Sequence, residues 1–210
     1  MTVFLGIFVS SFLLALSGAL MPGPLLTMAI GESPRKGYLA GPLLILGHGI
    51  LEAALLVCLM LGLAPILKQD SIFGVIALSG SIILLWMAFG MLRSIPSLSL
   101  DFNSGQTTSG HLILSGILMS LANPYWLIWW ATIGLGYIIH CQQFGLLGVI
   151  VFFIGHILAD LVWYSLVSFS VVKGRSFLNV SFYRGLIGFC ACFLVIFAGY
   201  FGYSGFEKVF

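Results

Sequence analysis

Six long apolar runs, separated by short polar breaks, constrain this chain more than any other feature. Runs of about 20 apolar residues match the ~30 Å hydrocarbon core of a bilayer, which only helices and closed barrels cross with every backbone group satisfied. Two of the runs carry the same ionisable pattern in their middle: Gly47-His48 with Glu52, and Gly155-His156 with Asp160. Each reads Gly-His, three residues, carboxylate. In a helix a separation of four puts imidazole and carboxylate on one face, one turn apart. A charge at the centre of a membrane helix costs about 2.5–3.5 kcal/mol on insertion scales, so such residues are read first as functional. Two copies 108 residues apart in a chain of 210 point to a duplicated unit.

Composition agrees with a membrane solvent. Sixty per cent of the residues are apolar and 7% are charged, against about 25% charged in soluble domains. The net charge of +2, without a basic stripe, excludes nucleic acid as a partner. Cys58, Cys141, Cys190 and Cys192 form no CxxC or zinc-ligand spacing. The N-terminus lacks the basic region of a signal peptide, so the first run reads as a retained span.

The predicted spans cover about residues 3–30, 38–64, 72–92, 111–138, 145–170 and 182–203. Polar turns at 31–37, 65–71, 140–143 and 173–175 separate them. The first span is interrupted by Met21-Pro22-Gly23-Pro24 and the fourth by Asn123-Pro124. The longest polar segment, 93–110, is rich in Ser, Thr, Asn and Gly and forms the seam. The expected fold class is an all-α integral membrane protein. Residues 1–92 make a first three-helix repeat, 93–110 a cytoplasmic connecting loop, and 111–210 a second three-helix repeat. Each repeat has a broken first helix, a second helix with Gly-His and an acid, and a plain third helix. Three spans is an odd number, so the second copy enters from the opposite side and the repeat is inverted, as in many transporters.

Orientation follows from Lys and Arg. One side collects Arg35, Lys36, Arg93, Lys173, Arg175 and Arg184, and the other Lys68 and Lys208. The richer side belongs in the cytoplasm, which places both termini outside it.

Proline removes a backbone donor and clashes with the preceding turn, so Pro22 and Pro24 around Gly23 should break the first helix. Irregular backbone at membrane depth is tolerated only against protein or a water-filled cavity. The next half-helix then opens with free amides and a positive dipole end, suited to a substrate carboxylate. Asn123-Pro124 adds a side-chain amide that caps the half-helix or meets the substrate. Read structurally, both are packing kinks. His48, Glu52, His156 and Asp160 supply the complementary charge, as groups that exchange a proton or release an ammonium; read structurally, each acid pairs with the His of its own helix. A metal half-site is a third reading of His and acid four apart. Tyr125, Trp126, Trp129 and Trp130 read as cavity aromatics that meet an ammonium by cation–π attraction, or as interfacial anchors. Tyr164, one turn beyond Asp160, is similar. The glycines at 37, 41, 47, 49, 145, 148, 185 and 188 read as sites of close helix packing.

Pro22-Gly23-Pro24, Arg35-Lys36-Gly37 with Gly41, and Asn123-Pro124 with Trp129-Trp130 occur in an order and spacing that resembles the LysE-type amino-acid exporter family, the lysine exporter and homoserine/threonine resistance proteins. The resemblance covers essentially the whole chain. It implies a six-span inner-membrane exporter of amino acids, driven by membrane potential or proton exchange. It also places Gly23, Pro24, Asn123 and Pro124 on signature positions.

The sequence therefore predicts a secondary transporter exporting a small amino acid or derivative across the inner (plasma) membrane. The expected substrate-binding residues are Pro22, Gly23, Pro24, Asn123, Pro124, Trp126 and Trp130. The expected coupling residues are Glu52, Asp160, His48 and His156. No catalytic residue, resident metal or cofactor is expected. The partners are a small-molecule substrate and lipid, and a homodimer is left open. A divalent metal-ion exporter of the same superfamily is the alternative within transport. An intramembrane enzyme using His and Asp is the alternative outside it, unsupported by any HExxH, nucleophile elbow or paired Cys.

Overall fold

A backbone that must satisfy its own hydrogen bonds in lipid coils wherever proline and glycine allow, and the described residues of this chain are helical almost throughout. A computed structural model describes residues 2–63, 66, 69–97, 109–174 and 180–209. Lys68, Arg175 and most of the connecting segment lie outside the described residues.

Helix α1 (Thr2–Ala19) stops before Met21-Pro22-Gly23, and α2 (Pro24–Lys36) starts at the second proline. A 3₁₀ turn, Gly37–Leu39, leads into α3 (Ala40–Cys58), which ends in a π-helical stretch, Leu59–Leu63. Then come α4 (Asp70–Ser94) and α5 (Ser109–Leu121). After the second break, α6 (Pro124–Trp129) continues through a π-helical stretch, Trp130–Gly134, into α7 (Leu135–Gln142). Two 30-residue helices, α8 (Gly145–Gly174) and α9 (Val180–Val209), close the fold.

Both helix breaks occur at the predicted prolines, and two of the polar turns are tighter than expected. Residues 31–36 are helical to the end of α2, and the chain turns only at Gly37, whose φ of 70° is left-handed. Likewise His140 belongs to α7, and the turn waits for Gly145 at φ 72°. Both glycines thus serve backbone conformation rather than close packing. Polar composition marked the aqueous boundary; the glycines mark where the chain reverses.

By length and apolarity, five described stretches can cross a bilayer: Thr2–Ala19, Pro24–Leu63, Asp70–Arg93, Gly145–Gly174 and Ile187–Val209. The expected fourth span is not among them, because Asn123-Pro124 divides it and α5 has only 13 residues. The outer surface is strongly apolar, with Leu61 82% and Trp86 75% exposed, a surface for lipid rather than water.

The main packing partners cross the chain's midpoint. Helix α1 lies chiefly along α8, α5 along α3, and α4 along α9. Glycines make the first two contacts close. A Cβ on Gly47 would collide with the backbone carbonyl of Ile113, and one on Gly155 would sit against Ser11 Oγ and 2.8 Å from the carbonyl of Phe8. The pair α4–α9 has its own apolar cluster around Ala77, Leu84, Ala88, Leu194, Ala198 and Phe201. Gly80 of α4 receives the ring of Pro124, tying this pair to the second break.

Two further apolar clusters enclose the centre. Along α3 the order is Leu44 and Ile45 of one cluster, then His48 and Glu52, then Leu55 and Leu56 of the other. Along α8 the order is reversed: Val149 and Phe152 of the second cluster, His156 and Asp160, then Tyr164 and Val171 of the first. The two helices therefore pass the polar residues in opposite directions.

Candidate functional site

The Gly-His-x-x-x-acid motifs meet. His48 and Glu52 project from α3, and His156 and Asp160 from α8; all four are buried, Glu52 to 1% exposure. The ring nitrogen Nε2 of His48 lies 3.1 Å from Glu52 Oε1, as a separation of four dictates, and 3.6 Å from Asp160 Oδ2. His156 Nε2 lies 3.0 Å from Glu52 Oε2 and 3.6 Å from Asp160 Oδ2. Each imidazole thus faces both acids, and each acid faces both imidazoles. Pairing within single helices, the structural reading of the sequence, misses half of these contacts.

Glu52 is held most tightly. Trp126 within α6 and Trp130 just past its end, four apart, donate their indole N–H groups to Oε1 at 2.9 and 2.7 Å. Hydrogen bonds to an ionised acceptor are worth about 1.5–3 kcal/mol, and burial makes their loss costly. His48 is anchored at its other side too. Its Nδ1 lies 2.7 Å from Ser120 Oγ, whose own hydroxyl donates to the Gly116 carbonyl at 2.7 Å. With acceptors at both nitrogens, this ring can be held as imidazolium. His156 Nδ1, by contrast, has no hydrogen-bond partner among the described residues.

The two helix breaks adjoin this cluster. Gly23 caps α2 in an extended conformation without any side-chain cap. Asn123 Oδ1 accepts the Tyr125 N–H at 3.1 Å, which leaves its Nδ2 directed elsewhere. That Nδ2 lies 3.4 Å from where a Cβ on Gly23 would stand, so the two breaks touch. A cavity of about 60 Å³ is lined by Gly23 and Asn123 together with Trp126, Trp129, His48, Glu52, His156, Asp160 and Tyr164. At roughly 10–15 Å³ per water-sized group, it holds about four to six of them.

The remaining expected site residues lie around it. Pro22 and Pro24 line a second space of about 10 Å³ between the breaks and α4–α9, which Gly23, Asn123 and Tyr125 also reach. Pro124 is fully buried against Gly80, and Trp130 is fully buried behind Glu52. Ser120 is a site residue that the sequence reading missed. Its only signal was position, three residues before Asn123. The indole bonds to Glu52 were missed as well, since nothing local in a Trp-rich stretch says which carboxylate it reaches.

The sequence matches the LysE type translocator family over residues 16–205. The chain belongs to that family. A Bacillus subtilis (strain 168) protein named "Putative amino acid efflux protein YcgF" is 23% identical over 208 residues, covering 98% of this chain and 99% of its own. No solved structure matches. As a LysE type translocator, the chain is a multi-pass membrane transport protein, and the matched region contains both breaks and all four ionisable residues of the cavity.

Proposed function

We propose that this translocator exports a small amino acid, or a derivative of one, across the inner (plasma) membrane as a secondary transporter. The observation that carries the reading is a single small cavity with unlike walls. Gly23 at the start of α2 and the Asn123 amide offer donors on one side, and Asp160 offers a carboxylate on the other. A zwitterion needs both, a donor wall for its carboxylate and an anionic wall for its ammonium. The size favours a small cargo, and the efflux named for the Bacillus relative favours an amino acid.

In this reading the chain is a six-span, 3+3 inverted repeat with both termini outside the cytoplasm. The reversed order of clusters along α3 and α8 supports the inversion. Arg35 and Lys36 at the end of α2, Arg93 at the end of α4, and Lys173 at the end of α8 support the orientation. Export is coupled to proton movement or to membrane potential through the four ionisable residues. A second reading, a divalent cation as cargo, is favoured by one observation. One donor atom each from His48, Glu52 and Asp160 lie within 4.8 Å of one another, a mixed N/O set that suits such an ion.

Reconstituted vesicles loaded with a panel of radiolabelled amino acids separate the two. Gradient-dependent efflux of a subset, unaffected by divalent salts, is expected. Movement of divalent ions with no amino-acid efflux would replace the first reading by the second.

A further inference from the structure

The two Gly-His-x-x-x-acid motifs share a pattern but not a set of partners. Glu52 receives two indole donors at 2.9 and 2.7 Å and two imidazole nitrogens at 3.1 and 3.0 Å. Its helix-mate His48 is fixed at the far nitrogen by Ser120. Nothing in that set can leave without stranding a buried donor. The second motif is differently placed. Asp160 meets both imidazoles only at 3.6 Å, beyond hydrogen-bond range. Its Oδ2 and the Nδ1 of His156 are both buried without a hydrogen-bond partner among the described residues. Both residues line the cavity, and each is about nine-tenths or more buried. Unsatisfied buried polar atoms are costly, and they persist where a ligand completes them.

We propose that Asp160, with His156 beside it, receives the positively charged group of the cargo, whereas Glu52 is a fixed counter-charge that positions the two imidazoles and never contacts the cargo. The inference rests on the amino-acid reading above and divides the labour within its site. Asp160 is near enough to both imidazoles to be balanced by them when the cavity is empty, and loosely enough held to exchange them for an ammonium. An ammonium brings three donors to an acceptor that currently has none at hydrogen-bond distance. Glu52 Oε2 also lacks a hydrogen-bond partner among the described residues, but His156 Nε2 stands only 3.0 Å from it and two indoles fill Oε1, so Glu52 is the more tightly enclosed of the two acids.

The test compares binding of an amino acid transported by the unmodified protein with binding of its N-acetyl derivative, which keeps the carboxylate and lacks the ammonium. The unmodified protein should prefer the free amino acid by ~10-fold or more, the scale of one charge-assisted hydrogen bond. Asp160→Asn should lose that preference while binding the N-acetyl form unchanged. Asp160→Glu, which keeps the charge and serves if the first variant is poorly folded, should retain the preference with shifted affinity. Glu52→Gln should melt earlier yet keep the preference in whatever fraction is folded. A Glu52→Gln protein without the preference, beside an Asp160→Asn protein that keeps it, overturns the assignment and leaves the amino-acid reading standing. No binding of any amino acid by the unmodified protein overturns both.

Discussion

His156 Nε2 stands 3.0 Å from Glu52 Oε2 on α3 and 3.6 Å from Asp160 Oδ2 on its own helix. The shorter contact joins residues 104 positions apart in sequence. The polar centre is therefore a brace between α3 and α8, as well as a lining for the cavity.

That brace predicts a coupling. Breaking one partner of a buried ion pair costs about 3–5 kcal/mol, so His156→Leu and Glu52→Gln should each lower the melting temperature. The double variant should be more stable than the sum of the single losses predicts, by about 0.5–3 kcal/mol of interaction energy. A double-mutant cycle of melting in detergent measures it; strict additivity would mean that the pair carries no stability.

The indole donors should be separable from the bulk of their rings. Trp130→Phe keeps the aromatic packing behind Glu52 and removes the 2.7 Å hydrogen bond. The expected loss is about 1–3 kcal/mol of stability, the cost of leaving a buried acceptor short of a donor. Trp163→Phe touches no carboxylate of the cavity and serves as the comparison. Equal melting of the two variants would argue against a fixed Glu52.

Close packing at the crossing glycines predicts a contrast between glycines that look alike in sequence. Gly47→Ala and Gly155→Ala place a methyl against the Ile113 and Phe8 carbonyls, and overpacking of this kind costs about 1–3 kcal/mol. Gly185→Ala meets nothing within 4 Å and should be neutral. Yield and melting of the three variants decide it.

At the helix break, Gly23→Ala should insert and fold, since its Cβ finds 3.4 Å to Asn123 Nδ2 and its φ of −135° suits any residue. Gly23→Leu should fill the cavity and abolish efflux from vesicles with the inserted protein still present. Amino-acid amides should be poor substrates of the unmodified protein. Amides carried as well as free acids would show that the break is only a kink.

Orientation can be read with single cysteines in a variant lacking Cys58, Cys141, Cys190 and Cys192. Cysteines at Ser97 and Lys173 should be shielded from an impermeant thiol reagent in intact cells, and one at Lys68 should react. The opposite pattern reverses the proposed topology.

What the sequence made legible follows from the reach of each interaction. Pro22, Gly23, Pro24 and Asn123-Pro124 act on their own backbone, so both helix breaks could be placed to the residue. The spacing from His48 to Glu52 and from His156 to Asp160 fixed which side chains share a face. It could not say that those faces meet, or that His156 reaches Glu52, because that depends on how α3 and α8 lie together. Ser120 and the indole bonds from Trp126 and Trp130 to Glu52 were hidden for the same reason, being contacts across helices. The turns at 31–37 and 140–143 were misjudged because polarity reports contact with water, whereas reversal of the chain needs Gly37 and Gly145.

The packing of α1 against α8 has a consequence for synthesis. Gly145, where α8 begins, is made long after Ala19, on the order of ten seconds later at ribosomal elongation rates. Until then α1 must wait in the bilayer or the insertion machinery without its main neighbour. Its serines are suited to the wait: Ser10, Ser11 and Ser17 each donate back to a carbonyl one turn earlier in α1 itself, at Gly6, Phe8 and Leu14. The nascent helix can therefore enter lipid with its hydroxyls already satisfied, and Gly155 of the later helix can close on Ser11 and Phe8 without first prising any of these bonds from water.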